Sequence, residues 1–350
     1  MTISDAESSP FKIPFLKPFT FGTTTVTERS GFYLTLKTTQ GLSAQGEVAP
    51  LDGISLETVR RVKHDLKETH SYLREFKVPL QKDELLEALH RDAHILNVCA
   101  SVRFAIESAL LGIASKASGV CLAQFLGADP VDVPTAVLLQ GTHAQVLADV
   151  KRFIEQGVKV FKLKVGDRNI ALDVKKVNDI RVFLNDESYL RLDGNRQWTF
   201  KEACIFAQLA GNQKIDFIEE PINDVTQLDA FYQQTRMRVA LDETLAIVRS
   251  GIRAPGRCSP PLAEREGVIA YVLKPMVLGL VPCLDWIAEA QLSRRKAIIS
   301  SAFESPVGFK VLANLARLSG QIAGLGTERW FKDIKPLVGP DGIIKKESLI

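Results

Sequence analysis

Residues 160–195, VFKLKVGDRNIALDVKKVNDIRVFLNDESYLRLDGN, have the pattern of an apolar strand, a helix and a second apolar strand. The two strands end in the charged segments Lys162-Leu163-Lys164 and Asp193-Gly194-Asn195. Apolar runs followed by charge recur at Glu219-Glu220-Pro221, Asp242-Glu243 and Lys274-Pro275. Repeated strand–helix units predict a parallel sheet, and seven or eight of them in about 200 residues favour an α/β barrel. Function in such barrels lies at the carboxyl ends of the strands, where these charges fall.

The chain divides into three parts by its pattern. Residues 1–127 combine a β-rich stretch at 11–47 with helical periodicity further on, which predicts an α+β domain. Residues 128–325 hold the strand–helix repeats, beginning with a strand predicted at 133–139. We expect residues 326–350 to pack back on the first domain.

Composition narrows the classes of partner. The chain has 44 Lys and Arg against 41 Asp and Glu, a formal net charge of +3, and no block of like charge. This balance argues against nucleic acid and membranes and favours a small molecule. The sequence shows neither an apolar leader nor a run of about 18 apolar residues, and its five cysteines are scattered without a CxxC pair. We expect a soluble, cytoplasmic protein with reduced thiols, and homo-oligomer formation stays open.

Lys162 and Lys164 are predicted to share one face of their strand, because alternate residues of a strand point the same way. Repulsion and desolvation would then lower a lysine pKa until the side chain can act as a base near neutral pH. The alternative is a solvated edge strand with alternating lysines.

Three acids, Asp193, Glu219 and Asp242, follow about one strand–helix unit apart and are predicted to converge in the barrel mouth. A hard divalent cation would relieve their repulsion, and an all-oxygen ligand set suits Mg²⁺, with Mn²⁺ as a substitute. The alternative is that each acid caps the helix that follows it.

Strand alternation separates neighbouring acids into two roles. Glu219 shares a face with Phe217, so we favour Glu219 over Glu220 and Asp242 over Glu243 as metal ligands. Five further side chains are expected to orient ligands or lysines or to bind the substrate: Lys162, Glu220, Glu243, Arg191 and Asn195.

Lys274 is predicted to lie across the barrel from Lys164. Two lysines that face each other over a metal-bound carboxylate suit removal of a proton α to that carboxylate. The alternative for Lys274 is an ordinary strand-end lysine before a proline.

The ordered motifs KxK at Lys162, RLDxN at Arg191, EEP at Glu219, DET at Asp242 and LKP at Leu273 resemble the enolase superfamily, in its muconate-lactonizing-enzyme-like subgroup. The resemblance covers almost the whole chain. It implies a modified TIM barrel, (β/α)7β, with an N-terminal α+β capping domain. It also implies a Mg²⁺-dependent enzyme with two catalytic lysines, the general arrangement of enolase-type sites.

Within that subgroup the chain most resembles the o-succinylbenzoate synthases of menaquinone or phylloquinone synthesis. The matching segments are Thr27-Glu-Arg-Ser-Gly31, Gly46-Glu-Val-Ala-Pro-Leu51, Ser55-Leu-Glu-Thr58 and Ser300-Ser-Ala-Phe-Glu-Ser305. The resemblance implies that Lys164 removes the α-proton of 2-succinyl-6-hydroxy-2,4-cyclohexadiene-1-carboxylate and so starts its dehydration. It also implies that the positively charged side chain of Lys274 lies against the ring face or the carboxylate of this substrate.

The same resemblance bears on substrate recognition. Ser300 and Ser301 would receive the succinyl carboxylate, unless they are ordinary turn serines. Loops around 19–27 and 50–55 would close over the substrate, although Asp52-Gly-Ile54 departs from the Pro-Gly-Phe that such synthases often carry.

Two other functions compete with this interpretation. A dipeptide epimerase or N-succinylamino acid racemase would use the same two lysines, but the epimerases tend to carry an Asp-x-Asp pattern that residues 322–328 lack. Racemase activity stays open as the alternative. A non-catalytic ligand-binding barrel is the remote one, because every required catalytic residue is present.

Overall fold

The computed structural model describes residues 1–21, 24–51, 55, 57–249 and 265–349. Asp52-Gly-Ile54 and part of the expected lid at 19–27 lie outside the described residues. No helix in the described part is long and apolar enough to cross a membrane.

The first domain begins with a three-stranded antiparallel sheet in the order β1-β2-β3. Its strands are β1 (Ile3–Phe21), β2 (Thr24–Thr38) and β3 (Ser43–Val48). β1 starts well before the expected residue 11. Its polar start pairs across the sheet, because Lys37 lies 2.8 Å from Glu7 and 3.4 Å from Asp5, while Ile3 is fully buried on the other face.

Five helices among the described residues complete this domain: α1 (Val59–Leu73), α2 (Lys82–Arg91), α3 (Ala93–Asn97), α4 (Ala100–Ala117) and α5 (Leu122–Leu126). α4 is buried along almost its whole length and packs on β3. Gly46 of β3 allows this close packing, since a Cβ there would lie 2.0 Å from the Ala105 carbonyl oxygen.

Seven parallel strands, hydrogen-bonded in chain order, form the barrel wall. After β4 (Val133–Pro134) they are β5 (Val137–Leu139), β6 (Val160–Lys164), β7 (Tyr189–Asp193), β8 (Ile215–Glu219), β9 (Val239–Leu241), β10 (Val268–Leu273) and β11 (Lys296–Ile299). Residues 322–325 supply the eighth position, because Ala323 bridges Thr135 and Gly324 bridges Ser300 in parallel. The predicted (β/α)7β barrel with an N-terminal capping domain is confirmed.

Helices cover the outside of the barrel. They are α6 (His143–Glu155), α7 (Ile170–Arg181), α8 (Phe200–Ala210), α9 (Leu228–Thr235), α10 (Glu243–Arg249), α11 (Pro275–Leu278), α12 (Leu280–Leu292) and α13 (Pro306–Ser319). Five apolar side chains form a cluster of their own on the central strands: Phe217, Ala240, Ala270, Val272 and Ile298.

The expected strand at 133–139 is in fact two strands. β4 leaves the barrel and pairs antiparallel with β12 (Ile343–Ile344). Pro134 has no N–H to donate and pairs at the end of this short ladder. The C-terminal segment also contacts the first domain, where Phe331 stacks on Phe15 at 5.0 Å and Lys332 N–H donates to the Pro14 carbonyl at 2.8 Å.

Strand register places the charged side chains at one level. Lys164 is aligned with Asp193 across β6 and β7, and Asp193 is aligned with Glu219 across β7 and β8. The three side chains therefore reach the carboxyl end of the barrel together.

Candidate active site

A cavity of about 590 Å³ opens at the carboxyl ends of the strands. Nine of the predicted site residues line it: Lys162, Lys164, Asp193, Asn195, Asp242, Glu243, Lys274, Ser300 and Ser301. Glu219 lies behind Lys162 and contacts it. Strand alternation therefore predicted correctly that Lys162 and Lys164 share a face.

Lys162 links two of the three predicted metal ligands. Its Nζ lies 2.8 Å from Asp193 Oδ2 and 2.7 Å from Glu219 Oε2. Burial works to lower the pKa of Lys162, but the charges of Asp193 and Glu219 overcome it, so the pKa is raised. Lys162 thus contacts both carboxylates, whose charges favour its ammonium form.

Lys274 makes the matching contact on the other side of the cavity, where it donates to Asp242 Oδ2. Burial opposes the charge on Lys274, yet Asp242 outweighs it and raises the lysine pKa. Burial raises the pKa of Glu219 well above its usual range, and the charge of Asp193 adds to the effect.

Lys164 has the opposite electrostatic environment. Burial lowers its pKa, and the charges of Lys162 and Lys274 lower it further against the opposing charge of Asp193. Its strand β6 lies four strands from β10, which ends just before Lys274. In a barrel of eight strands the two lysines therefore face each other across the barrel.

The donor chemistry of the three acids fits a hard divalent cation. Asp193, Glu219 and Asp242 are 2%, 2% and 6% exposed and offer only oxygen. Nearby, Glu243 Oε2 is buried without a hydrogen-bond partner among the described residues. In their present positions, no three acid, His or Cys side chains of the described residues converge as a ready ligand cluster. A cation between the three acids would therefore have to displace ammonium contacts made by Lys162 and Lys274.

Glu220 faces away from Glu219 and fixes the neighbouring loop. Its Oε1 accepts from the backbone N–H groups of Asp242 and Thr244, both at 2.8 Å. Arg196 Nε donates to Glu220 Oε2 at 2.8 Å. Glu220 thus positions the backbone that carries Asp242.

Asn195 and Glu243 contact each other at the cavity rim. Asn195 Nδ2 donates to Glu243 Oε1 at 3.3 Å, and Asn195 N–H donates to Asp193 Oδ1 at 3.2 Å. Burial raises the pKa of Glu243, and the charge of Asp242 raises it further.

Arg191 is not among the residues that line the cavity. It lies one side-chain layer below Asp193, where Nε donates to Asp216 Oδ2 at 3.1 Å and Nη1 donates to the Ile322 carbonyl at 2.7 Å. These contacts join the third barrel strand to the fourth and to the eighth. Strand alternation predicts on which face of the strand Arg191 lies, but not how far below the mouth of the barrel its side chain lies.

The two predicted serines differ in their contacts. Ser301 Oγ donates to Glu304 Oε2 at 2.6 Å and accepts from Phe303 N–H at 2.9 Å and Thr327 Oγ at 2.8 Å. A hydroxyl has one proton to donate, and in this structure Ser301 donates it to Glu304. The hydroxyl of Ser300 lies against Gly324, where a Cβ would come within 2.8 Å of Ser300 Oγ.

Phe303, Thr327 and Gln197 also line the cavity but were missed in the sequence. Phe303 belongs to the Ser300–Ser305 motif, and its ring packs 4.9 Å from that of Phe19 in the first domain. All three follow barrel strands, so the loops after each strand were the available signal.

The chain is similar in sequence and in fold to known proteins. Residues 145–253 match the family model described as Enolase C-terminal domain-like. The o-succinylbenzoate synthase of Aliivibrio salmonicida is 31% identical over 83% of this chain and 80% of that protein. Protein PHYLLO of Arabidopsis thaliana is 30% identical over 87% of this chain, which spans only 20% of that longer protein.

A solved structure shares the fold. The dipeptide epimerase of Cytophaga hutchinsonii, complexed with Mg and the dipeptide D-Ala-L-Val, has a TM-score of 0.83 at 22% identity, with 99% of this chain and 93% of that chain covered. Sequence and fold agree, and the chain belongs to the enolase superfamily, with o-succinylbenzoate synthases among its relatives.

Proposed function

We propose that the chain is an o-succinylbenzoate synthase. It would dehydrate 2-succinyl-6-hydroxy-2,4-cyclohexadiene-1-carboxylate in menaquinone or phylloquinone synthesis. The observation that carries the proposal is the placement of Lys164 and Lys274 on opposite sides of one cavity, beside three buried acids. The identity to o-succinylbenzoate synthases supports the substrate.

Mg²⁺, with Mn²⁺ as a substitute, is the proposed cofactor, held by Asp193, Glu219 and Asp242. The Mg in the similar dipeptide epimerase supports this assignment. When bound, the ion would stabilise the negative charge that develops on the substrate carboxylate.

Lys164 is the proposed base. Its lowered pKa favours the neutral amine that accepts the proton from the carbon α to the carboxylate. The electron pair of that C–H bond forms a ring double bond, and the C–O bond to the neighbouring hydroxyl breaks. Hydroxide leaves and is protonated to water, and the ring becomes aromatic.

Lys274 is the proposed electrostatic partner. Its raised pKa favours the ammonium ion. From the other side of the cavity, this positive charge would stabilise the negative charge that develops on the reacting carboxylate. Ser300 is the hydroxyl donor proposed for the distal succinyl carboxylate.

Racemisation of N-succinylamino acids is the second candidate. The same lysine pair favours it, since each lysine could exchange a proton on one face of the substrate, and a dipeptide epimerase shares the fold.

Parallel assays test the two candidates. The purified protein with Mg²⁺ is incubated with the cyclohexadiene substrate and separately with N-succinylamino acids, with aromatic absorbance and optical rotation as readouts. We expect fast aromatisation. Rapid loss of optical rotation without aromatisation would replace the proposal by the racemase.

A further inference from the structure

The loop between β11 and α13, residues 300–305, is held by side chains of the first domain. Arg29, only 1% exposed on β2, donates from Nε to the Phe303 carbonyl at 2.9 Å and from Nη1 to the Pro50 carbonyl at 2.7 Å. One buried guanidinium thereby joins the barrel loop to the end of the first domain's sheet.

Glu47 of β3 accepts hydrogen bonds from the end of the same loop. It is fully buried and accepts from Ser305 Oγ at 2.6 Å, from Ser305 N–H at 3.0 Å and from Gly308 N–H at 2.9 Å. These contacts satisfy the first N–H groups of α13, which have no partner within the helix.

Glu304 lies between these contacts and the cavity. Its Oε2 accepts from Ser301 Oγ at 2.6 Å and from Ala302 N–H at 2.8 Å, while Oε1 is buried without a partner among the described residues. Through Ser301, this carboxyl is connected to Thr327 and to Phe303, two residues that line the cavity. Phe303 has a left-handed φ of 62°, a conformation that the surrounding contacts must hold.

We propose that Glu304 is a positioning residue for substrate recognition. It accepts the hydrogen bond from the Ser301 hydroxyl and so fixes the loop that presents Ser300 and Phe303 to the substrate, in the geometry set by the first domain. The inference rests on the proposed function and extends it. It assigns no bond-making or bond-breaking step to Glu304.

The test is steady-state kinetics of dehydration with Glu304→Ala, Ser301→Ala and the double variant. We expect each single variant to raise KM about tenfold, the equivalent of one hydrogen bond, with kcat nearly unchanged. The double variant should be less impaired than the sum of the two single variants, because both changes remove the Ser301–Glu304 hydrogen bond.

Glu304→Gln is the rescue variant. Its amide oxygen can still accept from Ser301 and Ala302, so KM should stay close to that of the wild type. If Glu304→Ala does not fold, Ser301→Ala keeps the inference testable, because it removes the same hydrogen bond from the other side.

Asp285→Asn is the matched control. It weakens a different contact between the domains, His90 Nε2 to Asp285 Oδ1 at 3.0 Å, and should leave KM unchanged. Unchanged KM in Ser301→Ala and Glu304→Ala, or equal KM changes in the control, would overturn the inference alone. No aromatic product from the wild type would overturn the proposed function and this inference with it.

Discussion

Lys162 and Lys164 differ by two positions in the sequence but have opposite electrostatic environments. Lys162 bridges two carboxylates, which raise its pKa, whereas Lys164 is disfavoured as a cation by burial and by the other two lysines. A base has to be neutral before it can accept a proton. Of the two, only Lys164 has its pKa shifted towards the neutral amine.

Replacing Lys164 by Ala should lower the rate of dehydration by about 10²–10⁴-fold or more, the usual contribution of a general base. Exchange of the substrate α-proton with deuterium in D₂O should be lost as well, and NMR measures both. Lys159→Ala is the control, because Lys159 is 58% exposed and pairs with Glu187 away from the cavity. Full activity in Lys164→Ala would disprove the mechanism.

Glu219 and Glu220 offer a matched pair of adjacent acids. Glu219→Gln should weaken Mg²⁺ binding about 10-fold or more, while Glu220→Gln should mainly reduce thermal stability, because Glu220 holds the backbone of Asp242 and Thr244. Isothermal titration calorimetry and thermal melts measure the two effects. Equal loss of Mg²⁺ affinity in both variants would contradict the assignment.

Residue-level prediction succeeded where a local rule applies. The period of two placed Lys162 and Lys164 on one face, and separated Glu219 from Glu220. It could not show that Ser301 donates a hydrogen bond to Glu304. Nor could it show that Glu47 holds Ser305, because that contact joins residues 258 positions apart. Hydrogen-bond partners of this kind depend on how the two domains dock.

At the level of elements, the sequence pattern predicts the order of strands and helices. It does not always predict with which strand a given strand pairs. The stretch at 133–139 has the composition of one strand, yet β4 pairs with β12 at the far end of the chain. The eighth barrel position at 322–325 likewise pairs with Thr135, which lies at the start of the barrel sequence. Local pattern identifies a strand, and tertiary pairing decides which sheet it joins.

The contact between α2 and α12 should make stability depend on pH. The hydrogen bond to Asp285 raises the pKa of His90 above its usual 6.5, against the effect of burial. The stabilisation is therefore complete below about pH 6.5 and is lost as the pH rises through the folded-state pKa. The effect should be small, since His90 is 35% exposed on its side chain.

Thermal melts of the wild type and of Asp285→Asn, measured from pH 5.5 to 9, test this dependence. We expect the difference in melting temperature to be largest at the acidic end and to shrink towards alkaline pH. A difference that stays constant across this range would show that His90 does not titrate through this contact.

For the whole molecule, the proposed ion acts on activity and on stability together. Exhaustive chelation should abolish dehydration, and added Mg²⁺ or Mn²⁺ should restore it. A ligand that binds only the folded state stabilises it by about 2.7 kcal/mol at one hundred times its Kd, so Mg²⁺ should also raise the melting temperature.

Lys162→Met tests whether Mg²⁺ competes with the Lys162 ammonium for Asp193 and Glu219. Without the ammonium between Asp193 and Glu219, the buried carboxylates lose a positive partner, and the metal-free variant should melt at a lower temperature than the metal-free wild type. Because a divalent ion would then have no ammonium to displace, the Mg²⁺-induced rise in melting temperature should be larger in Lys162→Met. Lys159→Ala again serves as the exposed control and should respond to Mg²⁺ like the wild type. Unimpaired activity after exhaustive chelation, or the same small Mg²⁺ shift in every variant, would exclude the ion from these three acids.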